Sequence, residues 1–313
     1  MQPTTNRWKV AVGIVLSGAI GYFVARSLYR QWGAIGAFDW RLRPGWLALS
    51  AALIWLDVVL LFELWRTLLR IVSGFSISFA KAYRVSMLAN LGKYIPGKVW
   101  AVMGMAYLLR DEGVPVPAAM ASSVLHQAFT IVPGAVFISL VLGAGVWGQL
   151  PAVAIAVGLC VCAVILYPPL FTRLLNWGLR LLRRPPLAFV LSFPAALGLF
   201  GAYVVAWVLY GAAFWCMTVG LGLPAGPFLP VTAAYGAAYL IGLLALFAPG
   251  GLGVREGILT LLLAPYLPAG LSPAVAVVSR LWMTLVELCG LIPVALGVGR
   301  PAPDRWRPPG DPG

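Results

Sequence analysis

The sequence predicts an all-α integral membrane fold, with about six spanning helices plus two re-entrant helical hairpins arranged as two inverted repeats. Three observations carry that expectation. Of the 313 residues, 61% are hydrophobic and only 10% charged, against about 25% charged in an ordinary soluble domain. Several apolar runs reach about 18 residues or more, long enough to cross a hydrocarbon core ~30 Å thick. Two Pro-Gly breaks interrupt shorter apolar segments: NLGKYIPGKVW at 90–100 and APGGLGVREG at 248–257.

The same composition excludes other classes. A β-barrel needs short alternating segments, which are absent. No polar stretch is long enough for a separate soluble domain. The formal net charge of +13 sits at helix ends, where Lys and Arg orient a membrane chain and meet anionic lipid. Nucleic acid is therefore not an expected partner. Cys160, Cys162, Cys216 and Cys289 all fall in apolar runs, and His126 is the single histidine. That set cannot complete a metal site, so neither a metal nor a cofactor is expected.

Taken in order, residues 1–9 form a basic cytoplasmic N-terminus and 10–29 a first span, read as retained because no small-x-small cleavage site follows. A loop at 31–44 leads to the second span, 45–65, which carries Asp57 at depth and Glu63 near its end. Residues 78–91 are helical but too short and basic to cross; after Pro96-Gly97 a second short helix, 99–109, resumes. The third span is 118–142, with His126 and Pro133 inside it. An uncharged loop, the fourth span (151–171), a polar Arg-rich loop (172–186) and the fifth span (194–219) follow. Residues 227–247 run into Pro249-Gly250-Gly251, and a short helix, 254–263, opens with Arg255-Glu256. The last span, 273–296, holds Arg280 and Glu287. The Pro/Gly-rich tail is expected to be disordered.

The two halves share an order of span, span, broken hairpin, span. Pro96 and Pro249 stand 153 residues apart, about half the chain. Pro117 and Pro273 open the span after each hairpin. This implies one repeat at 10–146 with its hairpin at 78–110, a second at 151–297 with its hairpin at 228–266, and a tail at 298–313. An odd number of crossings per half inverts the second against the first. The basic segments at 1–9, 66–84, 173–184 and the tail then face the cytoplasm, and the uncharged loops face outside. The basic loop at 26–43 runs against that rule, and eight full spans remain an alternative.

At the first break, the helix restarting after Gly97 exposes unpaired backbone N–H groups and the positive pole of its dipole, which suits a phosphate. Lys93 and Lys98 flank it, with Asn90 and Tyr94 beside them. At the second, Gly251 and Gly253 allow close backbone approach to a ligand, and Arg255 adds a cation. Arg280 is a further candidate ligand for an anionic headgroup. Pro96, Gly97, Pro249 and Gly250 are the expected hinges. Glu256, Glu287, Asp57 and His126 are candidate gating or charge partners: Glu287 for Arg280 seven residues before it, Glu256 for Lys93 or Lys98. Ionisable groups at that depth are costly and face inward. Structural readings stand beside these: snorkelling lysines, a structural salt bridge, a helix-contact histidine.

The paired motifs, in this order and spacing, resemble the lysylphosphatidylglycerol synthase transmembrane region over roughly residues 10–297. That family includes the flippase-type domain of the bacterial multiple-peptide-resistance factor and stand-alone relatives linked with hopanoid or polyprenyl-lipid pathways. The resemblance implies a multi-pass protein of the bacterial cytoplasmic membrane that moves an anionic or aminoacylated lipid, with membrane lipids as partners. No aminoacyl-transferase domain follows the motifs, so lysyl-lipid synthesis is not expected. Two alternatives stay open: a non-transporting partner of a lipid-biosynthesis enzyme, and a lipid-modifying membrane enzyme. A homodimer is also open. Scattered carboxylates and a single histidine argue against the enzyme, and no GxxxxGK[ST] supports ATP drive.

Overall fold

A computed structural model describes residues 26, 29, 32–91, 100–110, 113–142, 167–181, 191–224, 226–245 and 248–299. Among them every regular element is a helix: α1 Trp32–Ala37, α2 Pro44–Ser73, α3 Phe79–Asn90, α4 Trp100–Leu108, α5 Val116–Leu142, α6 Pro168–Leu181, α7 Phe193–Gly220, α8 Phe228–Leu244, a 3₁₀ turn Pro249–Gly251, α9 Val254–Leu263, α10 Ser272–Cys289 and α11 Leu291–Ala295. Four helical stretches are long and apolar enough to cross a membrane among these residues: Pro44–Ser73, Val116–Leu142, Phe193–Gly220 and Ser272–Ala295. The chain is a multi-pass helical membrane protein.

Local chemistry sets the helix limits. Pro44 occupies the first turn of α2, and Gly74 ends it in the left-handed region at φ 73°, its N–H bonding the Arg70 carbonyl at 2.9 Å. The Ser78 side chain accepts from the Lys81 N–H and opens α3, and Ser192 caps α7 through the Ala195 N–H. Gly250, Gly251 and Gly253 all take positive φ between α8 and α9, a path that only glycine follows without strain.

Three sequence expectations are corrected. The second span extends to Ser73, because Arg66 does not end the helix: its guanidinium reaches the Glu63 carboxylate at 3.1 Å and the Ile77 carbonyl at 2.7 Å. The stretch 172–186, read as a polar loop, is helical as far as Leu181; Thr172, Arg173, Asn176 and Arg180 fall on one face of α6 at helical spacing. The loop at 31–44 contains α1. The last span, expected at 273–296, is Ser272–Ala295, with Gly290 at helical φ and ψ between α10 and α11. The first span, most of the fourth, the Lys93–Lys98 break and the tail lie outside the described residues.

Packing is organised around α2 and α7, which run along one another at the centre. Three side-chain clusters use α2: one with α7, α8, α9 and α10, one with α5 and α7, and one with α3, α4, α5 and α11. A fourth joins α5, α7 and α8. Small residues set the close crossings. A Cβ on Gly211 would collide with Thr232 of α8, and one on Gly134 with the Trp207 indole. The order long helix, short helix, short helix, long helix occurs twice: α2 to α5, then α7 to α10.

Candidate functional site

A cavity of about 230 Å³ opens among α2, α3, α4, α5, α7, α8 and α10. Its wall is mostly apolar and aromatic, with polar groups brought in one at a time. Asp57 comes from the middle of α2, Ser86 and Asn90 from the end of α3, and His126, Gln127 and Thr130 from consecutive turns of α5. Tyr203 and Tyr210 come from α7, Tyr239 from α8 and Glu287 from α10. The fold therefore gathers Asp57, Asn90, His126 and Glu287, four of the residues singled out from the sequence, around one space.

Asp57 is only 4% exposed, and its Oδ1 has no hydrogen-bond partner among the described residues. Glu287 is near enough for the two carboxyl groups to interact electrostatically. The His126 Nδ1 meets the Tyr203 hydroxyl at 2.6 Å. One turn on, Trp207 Nε1 donates to the Thr130 carbonyl at 2.8 Å, tying α7 to α5 beside the cavity.

Arg255 lies behind this wall. It is 6% exposed, and its Nη2 donates to the hydroxyls of Tyr210, at 2.8 Å, and Tyr235. The guanidinium carbon also sits 4.8 Å from the Tyr235 ring centroid and 5.1 Å from that of Tyr239. Tyr210 and Tyr239 thus face the cavity and also meet Arg255. Its neighbour Glu256 points elsewhere, as adjacent helical residues must. Glu256 Oε2 accepts the Gly253 N–H at 2.6 Å and closes the start of α9, while Oε1 lies 3.9 Å from Arg280 Nη1.

That contact corrects one expected pairing. Arg280 lies against Glu256, not Glu287, because two turns separate Arg280 from Glu287 by about 10 Å along the axis, and α9 delivers Glu256 to the nearer end. The expected partners of Glu256, Lys93 and Lys98, lie outside the described residues, as do Tyr94, Pro96 and Gly97. Gly251 does approach backbone closely, but that of α8: a Cβ there would stand 2.9 Å from the Gly242 carbonyl oxygen.

Sequence reasoning passed over the tyrosines. Tyr210, Tyr235 and Tyr239 stand in apolar runs, and Tyr235 is fully buried. The available signal was Tyr235 and Tyr239 at i, i+4 in the apolar helix that leads to the buried arginine. Trp282 Nε1 donates to Ser50 Oγ at 3.0 Å, joining α10 to α2 as His126 and Tyr203 join α5 to α7.

Among the described residues no group of His, Cys, Asp and Glu is arranged to hold a metal ion. A family model, that of the lysylphosphatidylglycerol synthase TM region, matches residues 10–290. No curated protein matches the chain.

Proposed function

The chain belongs to the lysylphosphatidylglycerol synthase TM region family, and from that premise we propose that it is a flippase-like carrier moving an anionic or aminoacylated lipid between leaflets of a bacterial cytoplasmic membrane. The observation that carries this reading is the cavity. Asp57, Asn90, His126 and Glu287 come from helices far apart in sequence and meet in one space inside a bundle of apolar helices. Polar groups at that depth are expensive and face a pathway or one another. The volume, about 230 Å³, suits a headgroup and not acyl chains, which stay in lipid.

Three features support an inverted repeat with half-depth hairpins. The helix order occurs twice, and α3 and α9, of 12 and 10 residues, are too short to cross a core ~30 Å thick. The contacts His126–Tyr203 and Trp282–Ser50 also join equivalent elements of the two halves: α5 with α7, and α10 with α2. Rocking of such halves about α2 and α7 exposes a shared site to each leaflet in turn. The lipid leaves chemically unchanged.

The test is headgroup crossing in proteoliposomes, read by a leaflet-selective quencher against protein-free vesicles. Faster crossing of acidic or aminoacylated phospholipid, recovered intact, is the expected result. A modified product assigns an enzyme. Neither crossing nor modification assigns a non-transporting partner.

A further inference from the structure

The cavity holds one carboxylate oxygen that the described residues leave unsatisfied. Asp57 is almost fully buried, yet it lines the cavity, and its Oδ1 accepts no hydrogen bond. An ionised carboxylate so placed is strongly disfavoured unless a cation or a proton joins it. No Lys or Arg is among the described cavity-lining residues. Arg255 is held by Tyr210 and Tyr235, and Arg280 lies against Glu256.

Among the described residues, the groups facing Asp57 do not supply a positive charge. From α10 comes the carboxyl of Glu287, a like charge. From α5 comes His126, bonded to the Tyr203 hydroxyl of α7. α7 and α8 add Tyr210 and Tyr239, both turned to Arg255. The α3 and α4 residues lining the cavity are not titratable.

Building on the transport reading above, we propose that Asp57 carries an exchangeable proton and that its loading and unloading are linked to passage of the headgroup. Oδ1 takes a proton from water on one side of the membrane. Ionisation returns it on the other side, and no bond to the lipid forms or breaks. With the proton in place, the empty cavity holds no bare charge at Asp57 and its helices can repack.

Two measurements on the full chain test this. Dicyclohexylcarbodiimide adds to protonated carboxyls in apolar surroundings. In detergent it should modify Asp57 while the group is protonated, with labelling falling roughly tenfold per pH unit once it ionises. Peptide mass spectrometry reads the site, and Asp57→Asn, which keeps the side-chain shape, should show no label at 57. Absence of label on Asp57 at every pH, or labelling indifferent to pH, overturns the proton site whatever the lipid does. In proteoliposomes, an imposed proton gradient should change wild-type crossing several-fold, while Asp57→Asn crosses at a single rate with or without it. Wild-type crossing that ignores the gradient overturns the coupling and leaves transport standing. Should that insensitivity come with loss of labelling when an ammonium-bearing lipid is added, Asp57 is a headgroup ligand and the proposal falls. If no lipid crosses under any condition, the transport reading and the coupling fall together, and the labelling still decides the proton site.

Discussion

The Tyr235 hydroxyl shows how much a single atom carries in this interior. Its ring stacks flat on Phe214, with centroids 4.1 Å apart, and its oxygen accepts from the buried Arg255. Tyr235→Phe keeps the stack and removes one of the guanidinium's two described tyrosine bonds. The expected cost is about 1.5–3 kcal/mol, read as a lower unfolding midpoint in detergent. Tyr239→Phe should cost much less, because Arg255 meets the ring there and not the hydroxyl. Equal losses in the two variants would contradict this account. Arg255 was legible as important from its place after the Pro-Gly-Gly break. Its partners were not, because a tyrosine in an apolar run reads equally well as interfacial belt. Which tyrosines converge is settled by how α7 and α8 cross, and no local pattern records that.

Helices meet closely here because glycines let them. In α5, Gly134 lies against the Trp207 indole, whose Nε1 is bonded one turn away to the Thr130 carbonyl. Gly134→Ala must push α5 from α7 or turn the indole, at a cost of about 1–3 kcal/mol. Gly198→Ala, with nothing within 4 Å, should be neutral or slightly stabilising; resistance to detergent denaturation separates the two. The amphipathic α6 makes a different prediction. Arg173 and Arg180 are exposed on one face, and Trp177 is exposed as well. At about 1 kcal/mol per basic residue near an acidic surface, a peptide of residues 168–181 should bind anionic vesicles roughly 30-fold more tightly than neutral ones. A tryptophan fluorescence titration reads it, and equal binding to both would remove the interfacial role. The helical spacing of Arg173, Asn176 and Arg180 was present in the sequence. It was overlooked because a cluster of arginines after a span looks like a loop, whereas an interface helix needs only one apolar face.

At the scale of the whole molecule, alternating access requires the cavity wall to meet water from both sides in turn. Gln127 lines the cavity yet is exposed. In a cysteine-free background, Gln127→Cys should react with an impermeant maleimide from either side of sealed vesicles, and a bound acidic lipid should slow both reactions. Reaction from one side only would count against two-sided access. The sequence by itself determined that this is a helical membrane protein of its family, where the apolar helices among the described residues lie, and that the Pro249-Gly250-Gly251 break divides two of them. Those properties follow from transfer free energy summed along the chain, from backbone restriction at proline and glycine, and from motif spacing, all of which are local. Only the tertiary structure decided that Arg280 lies against Glu256, that Arg255 is held by tyrosines behind the cavity, and that Asp57, His126 and Glu287 share one space. Those choices depend on which helix faces are packed together, a relation between residues from about 20 to more than 200 positions apart that leaves no trace in either neighbourhood.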